Sequence, residues 1–499
     1  MSSFDVDKAH FAAVKREFIL KVDGARPILY SLDYINTVIY HLSPLEGLAL
    51  SLLDGVTPVR EAKSFFEALF PDAPVNYLDL VRAVDERVRL SPSQTGIGRD
   101  GLIEASDSPI AHAQSFDPRR FVINSQDYEA QAIDVKTSHR LNSPINIYPV
   151  FTHRCVTDCA YCYADRAKMD EMPLTRWREI FSEMRKLDIW LGAPDNGDTF
   201  ARRDGVDLLE CLLEHEIHFL LSTKAYVSKD DVARLVDAGL KKKVRGVIKR
   251  CVQLSVDAAQ DDVSKRVLNL KKSMVKKHTE TFLNFLAFGI MPKIKGVITG
   301  LNYDQPKPIV DLFYPLGARV FHFVKYHRSF HRHADELFVE PRHVPTLAKQ
   351  FDKIRELYPD VDLVENLTGD AKEFPEAMRA SDRQKWDSRI GCGGGWSSLG
   401  ISPNGKAFLC EQMKMAEPFF VGDARVQSIE EIWQGQKMFD FIHPPRERFS
   451  GTECVDCEEF ETCVWEKGRC YRDAYFSYGS IYHPPPLCPK NSRPGLRLS

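Results

Sequence analysis

Hydrophobic and polar residues follow two alternating patterns along the middle of the chain. Amphipathic segments with helical spacing, such as Thr175–Leu187 and Lys229–Ala238, separate short apolar segments of strand length. The predicted strands are Ile145–Phe151, Ile189–Leu191, Ile217–Leu221, Val252–Val256, Lys293–Ile298 and Val320–Val324. Strands that alternate with helices in this way form a parallel sheet. The pattern therefore predicts an incomplete barrel of six strand–helix units, with its chemistry at the carboxyl ends of the strands.

The first 90 residues carry the signals of a small α+β domain. Ser43 has the position of a helix N-cap, and Glu46 follows three residues later, which predicts a capping box. The helix is predicted to end at Gly55, and a second helix after it to turn Phe65, Phe66 and Leu69 inward. The polar, weakly periodic residues 91–142 that follow are predicted to be a linker.

Composition and charge narrow the class of protein. The 499 residues carry 67 Lys+Arg against 70 Asp+Glu, a net charge of −3, so we expect no nucleic-acid partner. No apolar run reaches the roughly 18 residues that span a membrane, and the polar start does not resemble a signal peptide. We therefore expect a cytoplasmic protein with no membrane partner. Because cytoplasmic thiols stay reduced, those of its 12 cysteines that cluster in the sequence are expected to be metal ligands or redox groups rather than disulfides.

Three cysteines follow the first predicted strand, in the segment PVFTHRCVTDCAYCYADR. Cys155, Cys159 and Cys162 can hold three irons of a cubane 4Fe–4S cluster and leave the fourth iron without a protein ligand. A closed zinc site would need a fourth Cys or His, and the spacing of His153 does not suit one. The segment therefore favours an open iron–sulfur cluster.

This C-x3-C-x2-C spacing, with Tyr161 before the last cysteine, resembles the radical S-adenosylmethionine (SAM) superfamily. The resemblance implies that the open iron binds the amino and carboxylate groups of SAM. An electron, from a partner such as flavodoxin or ferredoxin, then yields a 5′-deoxyadenosyl radical. It also implies SAM contacts at the strand ends, although each of these residues can equally be an ordinary polar group of a loop: Gly197, Asp198, Ser222, Ser255, Asp257 and Thr299.

A second group of cysteines occupies the last fifth of the chain: Cys392, Cys410, Cys454, Cys457, Cys463, Cys470 and Cys488. Seven thiols cannot complete two cubanes, which need eight. With ISPNGKAFLC and VGDARVQSIEEIW, the group resembles the SPASM domain. The resemblance implies that Cys392, Cys410 and Cys470 hold one auxiliary 4Fe–4S cluster and that the other four hold a second. Cys251 or another group could close the first cluster; the alternative is a zinc-ribbon-like site.

The segment LSPLEGLALSLLDGVTPVREAKSFFEALF resembles the peptide-recognition element of ribosomal-peptide modification systems. The resemblance implies that the leader of a ribosomal precursor peptide adds as a strand to a sheet edge. The alternative is a winged-helix-like structural domain with no ligand.

Together these features predict an α/β protein. We expect a partial (β/α)6 TIM-like barrel with an N-terminal α+β winged-helix-like recognition domain and a C-terminal iron–sulfur SPASM domain. The predicted boundaries are 1–90 for recognition, 91–142 for the linker, 143–340 for the radical SAM core, 341–390 for a bridging region and 391–499 for SPASM.

The resemblance favours a peptide maturase that installs a crosslink in its substrate. The tail GRCYRDAYFSYGSIYHPPPLCP resembles those of thioether-forming maturases, so a thioether leads over carbon–carbon or carbon–oxygen bonds. No residue is assigned as a catalytic base. Two alternatives stay open, namely a protein maturase of the sulfatase or quinohemoprotein type and a non-catalytic metal-binding peptide scaffold.

Overall fold

The described residues form two units. The computed structural model describes residues 10–24, 26–32, 37–70, 76–92, 97–111, 113–121, 140–194, 196–241, 252–365, 367, 386–387 and 392–492. Of these, residues 10–121 and 141–143 belong to an N-terminal unit, and residue 140 and those from 144 onward belong to a larger unit. Within these ranges, no helix combines the length and the hydropathy needed to cross a membrane.

The N-terminal unit packs three helices against two antiparallel sheets of three strands, in the orders β5-β1-β6 and β2-β3-β4. Apolar side chains from both sheets and all three helices share one core. The strands β1–β6 are Phe11–Val14, Phe18–Asp23, Arg26–Ser31, Ile39–His41, Asp54–Pro58 and Ile103–Ser106, and the helices α1–α3 are Pro44–Ser51, Val59–Leu69 and Tyr77–Leu90.

The predicted start of α1 is confirmed and its predicted end is wrong. The Ser43 hydroxyl accepts the Glu46 N–H at 3.2 Å, and the Glu46 carboxylate accepts the Ser43 N–H at 2.7 Å. The helix ends at Ser51, whereas Gly55 lies in β5 with a φ of +75°. A Cβ on Gly55 would lie 2.4 Å from the Cβ of Ala113, so this glycine lets the segment after β6 approach β5 closely.

The inward face of α2 is narrower than the sequence indicates. Phe66 is buried, but Phe65 is 51% exposed and Leu69 is 40% exposed. The prediction that all three turn inward is therefore wrong for two of them. Only Val59, Ala62 and Phe66 face the core from this helix, because its opposite side has no element packed over it among the described residues.

Part of the predicted linker belongs to the N-terminal sheet. Strand β6, within residues 91–142, pairs antiparallel with β1 along its full length. The Asp85 carboxylate on α3 accepts the N–H groups of Leu102 and Ile103 at 2.6 and 3.1 Å, which fixes the start of this strand. The unit therefore extends past residue 90.

The larger unit contains the predicted partial barrel. Its seven parallel strands β7–β13 are Asn146–Pro149, Leu191–Gly192, Leu221–Thr223, Val252–Ser255, Lys293–Ile298, Val320–Lys325 and Asp362–Glu365. The helices α4–α10 are Leu174–Lys186, Gly205–Glu214, Lys229–Ala238, Asp261–Leu268, Val275–Leu286, Pro306–Phe313 and Val344–Leu357. A parallel bridge between Leu191 and His218 connects β8 to the β9 segment, and the described strands do not close the sheet into a full barrel.

A C-terminal hairpin continues the barrel sheet. Strand β14 (Ser398–Ile401) pairs parallel with β7 and antiparallel with β15 (Lys406–Phe408), which in turn pairs with β16 (Phe420–Asp423). Asn404 and Gly405 form the predicted turn between β14 and β15, with Gly405 at a φ of +83°. The hairpin therefore lies beside the strand that leads to Cys155. Helices α11–α13 are Ile429–Trp433, Gln436–Ile442 and Tyr471–Tyr478, and a π-helical segment spans Thr462–Lys467. Short 3-10 helices elsewhere in the chain are Pro118–Arg120, Thr199–Ala201, Asp335–Leu337, Pro341–His343 and Arg446–Phe449.

Candidate functional site

The carboxyl ends of the barrel strands surround a cavity of about 470 Å³. All three cysteines of the first motif line it. Five of the predicted strand-end and motif residues line it as well, namely Tyr161, Gly197, Asp198, Ser222 and Ser255. The structure therefore brings together most of the first predicted site, although its strand-end residues follow Cys155 by about 40 to 100 positions in the sequence.

The loop that carries Cys155, Cys159 and Cys162 is fixed by hydrogen bonds to its surroundings. The Thr157 hydroxyl lies 3.4 Å from the Cys155 sulfur and 3.3 Å from the Cys159 sulfur. The N–H groups of Asp158 and Ala160 donate to the carbonyls of Leu268 and Val267 at the end of α7. The three thiols are thus held on one wall of the cavity by groups outside the loop.

Gly197 and Asp198 close the end of β8 against the cysteine loop. The Asp198 N–H donates to the Arg154 carbonyl at 2.9 Å. A Cβ on Gly197 would lie 2.1 Å from the Thr152 carbonyl oxygen, so only glycine fits. Asn196, in the position where the superfamily has a first glycine, adopts a φ of +69°, which asparagine tolerates better than most residues.

The carboxylate of Asp198 organises the next strand end. It accepts the Thr223 hydroxyl at 2.9 Å and the N–H groups of Lys224, Ala225 and Phe200 at 2.9, 3.1 and 3.2 Å. Burial raises the pKa of this carboxyl, and the hydrogen bonds from backbone and Thr223 counter that effect. Asp198 thereby holds β9 to the segment after β8.

A row of polar side chains crosses the barrel interior from β9 to β11. The Gln253 amide donates to the Ser222 hydroxyl at 3.0 Å, and the Ser222 and Ser255 hydroxyls lie 3.4 Å apart. Ser255 pairs in register with Lys295, which also lines the cavity. This row offers hydroxyl, amide and ammonium groups to a polar ligand.

Two predicted contact residues do not line the cavity. Thr299 is fully buried, and its hydroxyl donates to the Asn302 side chain at 2.8 Å within the turn after β11. Asp257 is 1% exposed and accepts protein donors on both of its oxygens. Both were predicted from their place after a strand, but in the structure their side chains turn into the protein.

Lys224 lines the cavity and was missed by the sequence analysis. Its ammonium group lies 3.0 Å from the Asp257 carboxylate and 5.7 Å from the centre of the Tyr161 ring. Burial opposes its charge, but Asp257 and the thiols of Cys159 and Cys155 outweigh burial and raise the pKa of Lys224. The sequence signal was its place after the Ser222-Thr223 strand end.

The C-terminal cysteines fall into two neighbourhoods. Burial, with Cys392 as a further cause, raises the pKa values of Cys410 and Cys470 to about 12. Burial likewise raises the pKa of Cys454 to about 11, and the nearby thiols of Cys488 and Cys457 contribute. Cys392 thus lies near Cys410 and Cys470, and Cys454 lies near Cys457 and Cys488, while Cys463 lies in the π-helical segment. Cys251 lies outside the described residues.

Comparisons with known proteins cover the first group of cysteines and the first four of the second group, Cys392, Cys410, Cys454 and Cys457. Residues 150–313 match the model of the radical SAM superfamily, and residues 392–458 match that of the SPASM iron–sulfur cluster-binding domain. The chain contains a radical SAM domain and a SPASM domain. As a radical SAM enzyme, it has 4Fe–4S clusters and SAM as its cofactors.

Curated relatives of this radical SAM–SPASM chain include two proteins named PqqA peptide cyclase. That of Methylocella silvestris is 22% identical over 365 residues, which cover 70% of this chain and 88% of the relative. That of Rhizobium meliloti is 21% identical over 363 residues, covering 71% and 89%.

Two solved structures of Streptococcus suis SuiB share the fold. SuiB bound to the precursor peptide SuiA has a TM-score of 0.63 at 15% identity, covering 97% of this chain and 99% of SuiB. SuiB bound to SAM has a TM-score of 0.62 at 15% identity, covering 96% and 100%.

The donor sets fit these cofactors. In the radical SAM domain, three thiols line one wall of the cavity, which suits a cluster that keeps one iron for SAM. In the SPASM domain, Arg469 has two buried nitrogen atoms, Nε and Nη2, with no hydrogen-bond partner among the described residues. Its guanidinium interacts with the thiols of Cys454 and Cys470, one from each neighbourhood. A buried cation beside both sets suits anionic clusters whose sulfides accept hydrogen bonds.

Proposed function

We propose that this enzyme matures a ribosomally made precursor peptide by hydrogen abstraction followed by formation of a crosslink. One observation carries the proposal. The cavity that holds Cys155, Cys159 and Cys162 is also lined by Glu411 and Gln412, which directly follow Cys410 of the SPASM domain. A peptide residue in this cavity has the radical-generating site on one side and an auxiliary site on the other.

The relatives support a peptide substrate. The names of the relatives describe cyclases of the PqqA peptide, and the SuiB structure contains the precursor peptide SuiA. We transfer this substrate class to the present chain as a proposal. Within it, a thioether remains our leading product, because an auxiliary iron that lacks a protein thiolate can bind a substrate thiolate.

We assign the cofactor contacts as follows. Cys155, Cys159 and Cys162 hold the SAM-binding cluster, and Ser255 and Ser222 contact the carboxylate or ribose of SAM. When bound, the cluster and SAM together supply a 5′-deoxyadenosyl radical. The chain's part is to orient SAM and to exclude water, and apolar Val297 and Val324 in the cavity wall serve the second purpose.

The auxiliary clusters are assigned by the same neighbourhoods. Cys392, Cys410 and Cys470 hold the first, and Cys454, Cys457, Cys463 and Cys488 hold the second. An electron donor such as flavodoxin or ferredoxin completes the system, and reduced thiols and clusters favour the cytoplasm as its location.

The N-terminal unit is proposed to recognise the leader of the precursor. Its two sheets leave β2, β4, β5 and β6 as outer strands. An extended peptide can pair with such an edge and gain backbone hydrogen bonds without a fixed sequence. Because strand β6 pairs with β1, we extend the proposed recognition unit from residue 90 to about residue 121, and we place the radical SAM core after residue 143.

The experiment uses the full-length chain, loaded anaerobically with iron and sulfide, and the short peptide encoded beside its gene. With SAM and dithionite, we expect release of 5′-deoxyadenosine and loss of two hydrogen atoms from the peptide mass. Cys159→Ala should give neither product. Formation of 5′-deoxyadenosine with no change in any co-encoded peptide would contradict the substrate class.

A second arm tests recognition of the leader. The same peptide without its leader should be modified at least tenfold more slowly at micromolar concentration. Equal rates with and without the leader would contradict docking. Such a result would favour a protein maturase of the sulfatase type, whose substrate carries no leader.

A further inference from the structure

Lys224 and Asp257 form a buried ion pair beside the cysteine loop, between the ends of β9 and β10. The Lys224 side chain is 14% exposed and that of Asp257 is 1% exposed, and their charged atoms lie 3.0 Å apart. Lys224 lines the cavity, whereas Asp257 lies behind it. The pair therefore presents its positive member to the bound cofactors and keeps its negative member inside the protein.

Every part of this pair is fixed. The Lys224 N–H donates to the Asp198 carboxylate at 2.9 Å, and the Lys224 carbonyl lies 3.2 Å from Nε2 of the buried His278. The Asp257 carboxylate accepts the Tyr161 hydroxyl at 2.5 Å and the Val297 N–H at 3.0 Å. These bonds fix the backbone of Lys224 and the carboxylate of Asp257, so the lysine ammonium group has a partner of fixed position at the cavity wall.

The charge of Lys224 reaches the cysteines. Lys224 lines the same cavity as Cys155, Cys159 and Cys162. Its ammonium group lies 5.7 Å from the ring centre of Tyr161, the residue directly before Cys162. In a buried environment such an interaction is several times stronger than in water. Three thiolates around a cluster leave a net negative charge, which a further electron increases.

We propose that Lys224, held by Asp257, is a fixed positive charge that favours the reduced state of the cluster bound by Cys155, Cys159 and Cys162. Charges and hydrogen bonds around iron–sulfur clusters set their reduction potentials. Asp257 is then a positioning residue for Lys224 and Tyr161, in place of the direct SAM contact predicted from the sequence. The inference rests on the proposed assignment of these cysteines to the SAM-binding cluster.

The test compares Lys224→Gln, which removes the charge but keeps an N–H donor, with Lys224→Arg, which keeps the charge. Redox titration of the full-length holoenzyme follows the electron paramagnetic resonance (EPR) signal that responds to SAM. We expect K224Q to make reduction at least tenfold less favourable, a shift of 59 mV for one electron, and K224R to shift it by less than a third of that. Lys307→Met, which removes a lysine that is ion-paired to Asp311 and does not line the cavity, serves as the matched control and should shift the potential by less than a third of that value as well.

Two outcomes overturn the proposal. The first is an unchanged potential in K224Q, with or without a loss of SAM affinity, and the second is a shift in K224R as large as in K224Q. If K224Q does not retain iron, the Lys224→Met, Asp257→Asn double variant is titrated in its place, because it removes both charges of the pair and leaves neither unpaired. Its potential should also fall, because Lys224 lines the cavity that holds the three cysteines and Asp257 does not. If the wild-type enzyme shows no SAM-responsive signal, the cluster assignment itself fails instead.

Discussion

Gly197→Ala should push the segment that leads into Cys155 away from the end of β8, without removing any chemical group from the SAM site. The new Cβ would lie 2.1 Å from the Thr152 carbonyl oxygen and 3.1 Å from that of Arg154. Restoring an ordinary contact of 3.4 Å to Thr152 requires a backbone shift of about 1.3 Å. This shift occurs in the segment that leads into Cys155, and it stretches the hydrogen bond from the Asp198 N–H to Arg154.

The magnitude follows from these contacts. Overpacking of this kind costs about 1–3 kcal/mol of stability, and the lost hydrogen bond about 1 kcal/mol more. A misplacement of about 1 Å near reacting groups costs roughly 100-fold in rate. We therefore expect G197A to fold with lower stability, to bind SAM at least tenfold more weakly and to release 5′-deoxyadenosine about 100-fold more slowly.

The assays are urea unfolding, equilibrium dialysis of SAM and release of 5′-deoxyadenosine from the reconstituted enzyme. Gly435→Ala is the matched control, because its new Cβ would lie no closer than 3.1 Å to another atom, the Glu431 carbonyl oxygen. Gly435 also has an ordinary φ of −70°, at a helix start far from the cavity residues in the sequence. A G197A enzyme with full iron content and SAM affinity within twofold of wild type would refute the reasoning.

Three further predictions concern buried side chains that can carry a charge. Asp198→Asn replaces one of two accepting oxygens by an NH2 donor, which then faces either the Phe200 N–H or the N–H groups of Lys224 and Ala225. The free energy of unfolding should therefore fall by about 2–4 kcal/mol in urea titrations; unchanged stability would contradict this. Arg469→Met should lower the iron content of the SPASM domain while the SAM-responsive cluster remains, and full iron occupancy would show that the orphaned guanidinium serves another purpose. Burial, aided by Lys224, lowers the pKa of His278 to about 4, so the unfolded chain takes up a proton near pH 6.5 and the folded chain does not. Stability should fall as the pH drops from 6.5 towards 4, by about 1 kcal/mol between pH 7.0 and 5.5, and His278→Gln should remove that share of the slope.

The sequence was informative where the signal is local. The spacing of Cys155, Cys159 and Cys162 lies within eight residues, and the alternation of strands and helices repeats at short range. Both therefore predicted the barrel and the loop that carries the thiols. The capping box at Ser43 and Glu46 was predictable for the same reason, since its two hydrogen bonds join residues three positions apart.

The sequence was less informative where partners meet only through the fold. Lys224 pairs with Asp257 and Asp257 with Tyr161, across 33 and 96 positions, and the pairs depend on the register of β9, β10 and the cysteine loop. The inward direction of Thr299 is likewise set by its turn with Asn302. In the sequence, Gly55 resembles a glycine that ends a helix. Only the fold shows that a glycine is needed there for the close contact with Ala113.

The central claim is that three thiolates on the loop after β7 hold a cluster with one iron left for SAM. Its most direct test is the EPR spectrum of the reduced holoenzyme, recorded with and without SAM, in the wild type and in the Cys155→Ala, Cys159→Ala, Cys162→Ala triple variant. We predict a signal that changes when SAM is added to the wild type, and its complete absence in the triple variant while auxiliary signals persist. A SAM-dependent change that survives loss of all three cysteines would contradict the account.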